Sequence, residues 1–174
     1  MIDGEKMKFK ELTEKRYSQR GYLDKIIEQD KLDYILECSR LAPSAANRQP
    51  WKIYIVKDAA IREKLVKSYD REWFAEAPLI VVFTGNRDKN WKRKDGADYL
   101  LCDVTIIADY FILAAEEVGL GSCYIAAFDK EIAEQAIDLG ENEEILLMTP
   151  LGYPKDGVTR ERKREDIKDI VRYI

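Results

Sequence analysis

The stretch from Tyr99 to Val118 constrains this chain more than any other. Leu100, Leu101, Val104, Ile106, Ile107, Phe111, Ile112, Leu113, Ala114 and Ala115 put apolar side chains on most sides of a helix rather than along one stripe. Such a helix is expected to be buried nearly all round, in a core or at a subunit interface. Asp103, Asp109, Glu116 and Glu117 interrupt it, so it falls short of the roughly 18 uninterrupted apolar residues that span a bilayer. It is therefore expected to organise a packed interior, with no membrane partner. Gly119-Leu-Gly121 ends it as a glycine C-cap would.

A chain of 174 residues has room for one core, so a single domain over 1–174 is expected. Before the long helix, Leu32, Ile35, Leu36 and Ser39 recur at helical spacing from about Asp30, and Pro43 stops that helix near Leu41. Trp51 to Val56 alternates as a strand, and Asp58 caps a helix to about Tyr69. After Pro78, Leu79-Ile-Val-Val-Phe83 reads as a strand buried on both faces, at the centre of the sheet. The charged segment Gly85–Gly96 has no period and reads as a mobile loop or lid. Beyond the long helix, Ser122 to Phe128 is a short apolar segment, a polar helix begins near Asp129, and Glu144 to Thr149 is one more strand. Residues 1–12 are expected to be mobile. Residues 155–174 form a C-terminal arm, charged through Arg160, Arg162, Lys163 and Arg164 and then apolar at Ile167, Ile170 and Val171.

The chain contains no histidine. That removes the usual metal ligand and general base, and with them Ser-His-Asp and Cys-His mechanisms, so no metal is expected and a bound cofactor is expected to supply any reactivity. A net charge of −4 argues against a nucleic-acid partner, which selects for excess Lys and Arg. Cys38, Cys102 and Cys123 are widely spaced, form no C-x-x-C pair and follow no secretory leader, the usage expected of a cytoplasmic protein.

Two segments carry candidate chemistry. Arg16-Tyr-Ser-Gln-Arg20 sets two guanidinium groups around a hydroxyl, donors matched to a phosphate monoester, although a solvated basic turn has the same composition. In Ala42-Pro-Ser-Ala-Ala-Asn-Arg-Gln-Pro-Trp51, small residues let a planar ligand approach the backbone, and Asn47 and Gln49 offer amides. An ordinary helix-to-strand loop would explain the Pro and Asn but not the whole set.

With Gly119-Leu-Gly-Ser-Cys-Tyr-Ile125, Leu151-Gly-Tyr-Pro154 and the basic C-terminus, these segments form an ordered series from Arg16 to Val171. The series resembles the nitroreductase family of flavoproteins. The resemblance implies an α+β fold, a mainly antiparallel central sheet flanked by helices, in an intertwined homodimer with the C-terminal arm reaching across and FMN sites at the subunit interface. It implies that Arg16, Ser18 and Arg20 hold the FMN phosphate and ribityl end, with backbone contact from Tyr17 and help from Arg162 and Arg164. Pro43, Ser44, Ala45 and Asn47 of the other subunit would cover the flavin ring, with Gln49 in the same loop. Ile125, Ala126 and Ala127 would lie along the flavin, with a backbone N–H near Ala126 facing N5. A plain buried strand end would show the same apolar residues. Arg20, or else Arg48, would stabilise the reduced flavin.

The resemblance further implies hydride transfer from NADH or NADPH, through flavin N5, to a nitroaromatic, quinone or similar acceptor, with no catalytic side chain required. Trp91, Lys92 and Arg93 form the candidate substrate lid, able to stack on and attract an aromatic or anionic acceptor, or else a solvated charged loop. Alternatives are a specialised flavoprotein of the same fold (a reductive dehalogenase or metabolite dehydrogenase), a flavin-storage protein with little turnover, and an interaction protein that has lost the site. Two departures from the family pattern stand out. Ala45-Ala46 replaces the Ser or Thr of many relatives, and the tail after Tyr153 is charged rather than proline-rich.

Overall fold

The computed structural model describes residues 8–157 and 162–174. Its centre is a four-stranded sheet, antiparallel throughout, made of β1 (Trp51–Val56), β2 (Leu79–Asn86), β3 (Gly121–Ser122) and β4 (Glu143–Gly152) in the order β1-β2-β4-β3. The helices are α1 (Phe9–Lys15), α2 (Gln29–Arg40), α3 (Ala59–Ser68), α4 (Glu72–Ala75), α5 (Leu100–Glu117), α6 (Lys130–Ala136) and α7 (Ile167–Ile170).

The five apolar residues of β2 are explained by its two buried faces. Leu79, Val81 and Phe83 pack toward α5 and α2, against Val104, Ile107, Phe111, Ile112, Leu32 and Ile35. Phe83 meets Phe111 edge to face, with ring centroids 5.4 Å apart. Ile80 and Val82 point the other way, into a second core with Leu65 of α3, Phe74 of α4 and Ala133 of α6. The result is helices on both faces of an antiparallel sheet, the α+β arrangement the sequence implied.

The local signals act as the chemistry requires. Asp58 accepts a hydrogen bond from the Ile61 amide and Asp129 from the Ile132 amide, capping α3 and α6. Gly119 sits at φ 79° after α5. There the Leu120 amide reaches the Ala115 carbonyl (2.8 Å) and the Gly119 amide the Glu116 carbonyl (3.0 Å), the paired bonds of a Schellman ending. At Gly85 a Cβ would lie 2.7 Å from Leu100 Cγ, so the absent side chain lets β2 press against the start of α5.

Several features differ from the sequence reading. Helix α1 (Phe9–Lys15), for which the sequence reading had no element, begins inside the 1–12 segment, while residues 1–7 lie outside the described residues, as does Arg160 of the charged tail. The short helix α4 and the two-residue strand β3 had no sequence signal. The helix α5 is not buried all round in the single chain. Leu101 is 54% and Tyr110 41% exposed, and Cys102, Thr105 and Asp109 lie exposed beside them. The segment after β2 is hydrogen-bonded to itself, with an antiparallel backbone bridge between Lys92 and Asp98 and the Tyr99 amide donating to the Trp91 carbonyl. In the C-terminal arm Ile167, Ile170 and Tyr173 are all exposed.

Glu143, whose side chain is 1% exposed, ties β1 to β4 across the intervening strand. It receives Lys52 Nζ at 2.7 Å, the Tyr54 hydroxyl at 2.6 Å and the Gly140 amide at 2.8 Å. Burial pushes the Glu143 pKa up, but these hydrogen bonds outweigh it and hold the carboxyl below its ordinary value. Burial and Glu143 together push Tyr54 up to about 12. Because the folded pKa is depressed, the linked stability is present above the unfolded carboxylate value, about 4.3, and is lost as pH falls through the folded one. Glu143→Gln is expected to cost about 1–3 kcal/mol at neutral pH. Thermal melts across pH should show the variant losing less stability than the parent below about pH 4.5.

Candidate functional site

After α1 the chain runs extended along the sheet edge. Ser18 pairs with Ser122, the Gln19 amide donates to the Ser122 carbonyl (2.9 Å), and Tyr22 pairs with Pro154. Alternation along an extended segment puts Arg16, Ser18 and Arg20 on one side and Gln19 on the other. Gln19 is fully buried, seated against Gly121, where a Cβ would lie 2.7 Å from Gln19 Cγ. The Tyr22 hydroxyl donates to the Gln19 carbonyl (2.9 Å) and locks the turn. Gln19 and Gly121 thus support the R-x-S-x-R face from behind, a role its composition did not reveal.

The C-terminal segment returns to this face. Arg162 donates to the Arg16 carbonyl and to that of Thr13 (3.3 Å). Arg164 instead bonds the carbonyl of neighbouring Lys163. Arg20 lies over the Trp73 ring at 5.8 Å, a partner with no sequence signal. Arg16 Nη1 is buried and has no hydrogen-bond partner among the described residues. Burial raises the Glu116 pKa, opposed by Lys15, Arg16 and Arg162 around it. Burial, then Glu116 and Asp156, raise the Tyr17 pKa. An inward-facing guanidinium nitrogen without an acceptor, beside Ser18 and a second arginine, has the donor set of an oxyanion site.

From β3 the chain continues past this cradle. The Cys123 amide donates to Thr149 Oγ1 (3.0 Å), and Ile125 exchanges two backbone hydrogen bonds with Met148. The Ile125 side chain lies in the second core, whereas Ala126 and Ala127 are exposed, with small side chains that leave their backbone open. A groove of about 540 Å³ lies alongside, lined by Thr105, Ile106, Asp109, Tyr110, Tyr124 and Leu147. The Tyr124 hydroxyl donates to Asp109 (3.2 Å). Burial, then Asp109, push the Tyr124 pKa well up, opposed by nearby Arg16. The groove and the arginine cradle are therefore neighbours. Tyr124 and Asp109 were missed because each reads as an ordinary residue of its own element.

The Pro43–Gln49 loop is built differently. Ala45–Asn47 forms a single 3-10 turn in which Ala46 and Asn47 adopt φ 51° and 52°, and Gln49 adopts φ 47°. Left-handed geometry is unfavourable for residues bearing a Cβ. The Ala45 amide donates to Asp103 Oδ1 (2.8 Å), the Gln49 amide to Ser44 Oγ (2.9 Å), and Arg48 to the Asn90 carbonyl (2.8 Å). The Asn47 and Gln49 side chains hydrogen-bond each other (3.2 Å) at the exposed surface, where Pro43 also lies, while Ser44 and Ala45 are half-buried. In the adjoining segment Trp91 packs edge-on against Tyr99 at 5.1 Å. Arg93 is bonded to Asp95 and to the Tyr99 hydroxyl, so its charge is already paired, whereas Lys92 is exposed.

The two halves do not meet within one chain. The loop is tied to Asp103 at the start of α5, and the arginine cradle lies beside Glu116 at its end. Those positions are about 20 Å apart along the helix axis. Among the described residues no group of His, Cys, Asp and Glu could hold a metal ion, and no helix is long and apolar enough to cross a membrane.

Comparison with known proteins bears on this arrangement. The chain is similar to the crystal structure of a nitroreductase family protein from Clostridium difficile 630, at 33% identity and TM-score 0.86, over 96% of this chain and 98% of the other. It is also similar to an FMN-dependent nitroreductase from Clostridium difficile R20291, at 28% identity and TM-score 0.71, over 91% and 92% of the two chains. An Archaeoglobus fulgidus protein, provisionally named NADH dehydrogenase/NAD(P)H nitroreductase, is 28% identical over 81% of this chain and 82% of its own length. An iodotyrosine deiodinase of Thermotoga neapolitana is 24% identical over 94% and 96%. The model of the nitroreductase family matches residues 13–72 and 65–153, and the chain belongs to that family.

Proposed function

We propose that this chain is an FMN-dependent oxidoreductase that takes reducing equivalents from NADH or NADPH and passes them to a nitroaromatic, quinone or similar acceptor. The observation that carries this reading is the cradle. Arg16, Ser18 and Arg20 are alternate residues of a single extended segment, Arg162 docks on it, and Arg16 Nη1 is buried without an acceptor among the described residues. A phosphate dianion supplies the acceptor that this donor set lacks. The groove lined by Tyr124, Tyr110 and Ile106 suits a flat ring attached to that phosphate. FMN, when bound, supplies hydride chemistry at its N5, which is why a chain without histidine needs no side-chain base.

The remaining residues bind and orient. Arg16, Ser18, Arg20, Arg162 and Arg164 would hold the phosphate end, with Tyr17 contributing backbone. The Ala126 amide would meet the ring edge, and Arg20, or else Arg48, would supply the cation for a negatively charged reduced ring. Pro43, Ser44, Ala45, Asn47 and Gln49 cover the ring from a second copy of the chain, because their own cradle is too far away along α5. The exposed strip of α5 and the exposed Ile167, Ile170 and Tyr173 of the arm provide apolar surface for that second copy. Trp91 and Lys92 border the loop and act on the acceptor by stacking and charge. Arg93 is occupied by Asp95.

The similarity to an iodotyrosine deiodinase supports a second reading, reductive dehalogenation at the same site. Comparing turnover of a nitroaromatic with that of an iodinated phenol under NAD(P)H separates the two readings.

The purified chain is expected to carry about one FMN per subunit, bleached by NAD(P)H without oxygen. A colourless protein that takes up no added FMN would overturn the proposal, and FMN that NAD(P)H does not reduce would point to storage. Arg16→Ala is expected to weaken FMN binding by about 10- to 100-fold, since a charge-assisted hydrogen bond contributes about 1.5–3 kcal/mol. A fluorescence titration with FMN checks this.

A further inference from the structure

Asp103 stands on a face of α5 that is otherwise apolar, between Val104 and the exposed Leu101–Cys102 pair, and is 1% exposed. Burying a carboxylate is costly unless it is hydrogen-bonded. Here Oδ1 accepts the Ala45 amide at 2.8 Å, while Oδ2 is buried with no partner among the described residues. The position in the first turn of α5 adds the favourable end of the helix dipole.

The amide that Asp103 grips opens the only turn in the described chain that strings Cβ-bearing residues at positive φ so closely: Ala46, Asn47 and Gln49. Such residues persist in left-handed geometry only where the surroundings hold them there. Ser44 Oγ closes the turn on itself through the Gln49 amide, and Arg48 ties its far side to the Asn90 carbonyl. Asp103 is the tie to the helix, and it acts on the residue immediately before the strained pair.

We propose that Asp103 is a positioning residue for the flavin site, its carboxylate holding the Ala45 amide so that the Ala46–Asn47 turn is set before the ring arrives. The inference rests on the functional reading above, in which this loop covers the ring. Asp103 touches neither ring nor substrate. It lowers the ordering that binding would otherwise demand of the loop.

Three variants test it: Asp103→Asn, which keeps an acceptor in place, Asp103→Glu, which keeps the charge but displaces the acceptor by one methylene, and Asp103→Ala. FMN affinity, the visible circular dichroism of the bound flavin and the melting temperature of the FMN-free protein are measured for each. Asp103→Ala is expected to bind FMN about tenfold more weakly, with an altered dichroic band. Asp103→Asn is expected to stay near the parent in both, even where its melting temperature differs. If Asp103→Ala does not fold, Asp103→Glu is expected to show the weaker binding and altered band. The proposal is overturned if Asp103→Ala, or in its place Asp103→Glu, binds FMN with parental affinity and dichroism, or if Asp103→Asn loses as much as Asp103→Ala. A parent chain that takes up no FMN fails the functional reading itself, a result distinct from parental binding by the variants.

Discussion

The packing of α5 against the sheet is the interaction on which the rest of this structure depends. Val104, Ile107, Phe111, Ile112 and Ala115 close the core over β2 and β4, and each large side chain so buried contributes about 1.5–3 kcal/mol from apolar surface alone. That burial also fixes where the two polar ends of the helix lie. Asp103 at one end meets the Ala45 loop, and Glu116 at the other sits among Lys15, Arg16 and Arg162. A rigid helix of 18 residues thus holds apart two surfaces that the functional reading requires together. A second copy, placed against the exposed strip of α5, is the economical way to unite them.

Local chemistry runs against the bulk composition at both ends. The chain is acidic overall, yet Arg162 docks on the Arg16 carbonyl, and one Arg16 guanidinium nitrogen is buried and unanswered among the described residues. An anion arriving there meets donors already positioned, with little reorganisation left to do. The loop at the other end is also prepared in advance, by Asp103, Ser44 and Arg48 acting on a turn its residue types disfavour. The chain's contribution to chemistry is accordingly one of position and charge.

Much of this was legible in the sequence. The two-faced burial of β2 showed in its unbroken apolar run, the helix caps in Asp58 and Asp129, and the end of α5 in Gly119. Arg16, Ser18 and Arg20 are alternate residues of a segment that the structure extends beside Ser122, and the shared face proposed for them follows from that spacing. Other features depend on contacts distant in the chain. Trp73 beneath Arg20, Tyr124 against Asp109, and Gln19 behind Ser18 each need the fold before they acquire a meaning. Arg93 looked available because its pairing with Asp95 across a tight turn is not visible in composition. Asp103 did carry a signal, as an acid in the first turn of an apolar helix, but the amide it holds lies 58 residues away.

The claim that the flavin site is assembled from the cradle of one chain and the loop of another is tested most directly by subunit complementation. One chain carries Arg16→Ala with Ser18→Ala, the other Asn47→Ala, and the two are co-expressed and compared with each alone. If the site is shared, a mixed dimer contains one intact cradle facing one intact loop, and random pairing restores about a quarter of parental FMN-dependent NAD(P)H oxidation. Folded, mixed dimers that recover no activity beyond the separate variants would contradict the account.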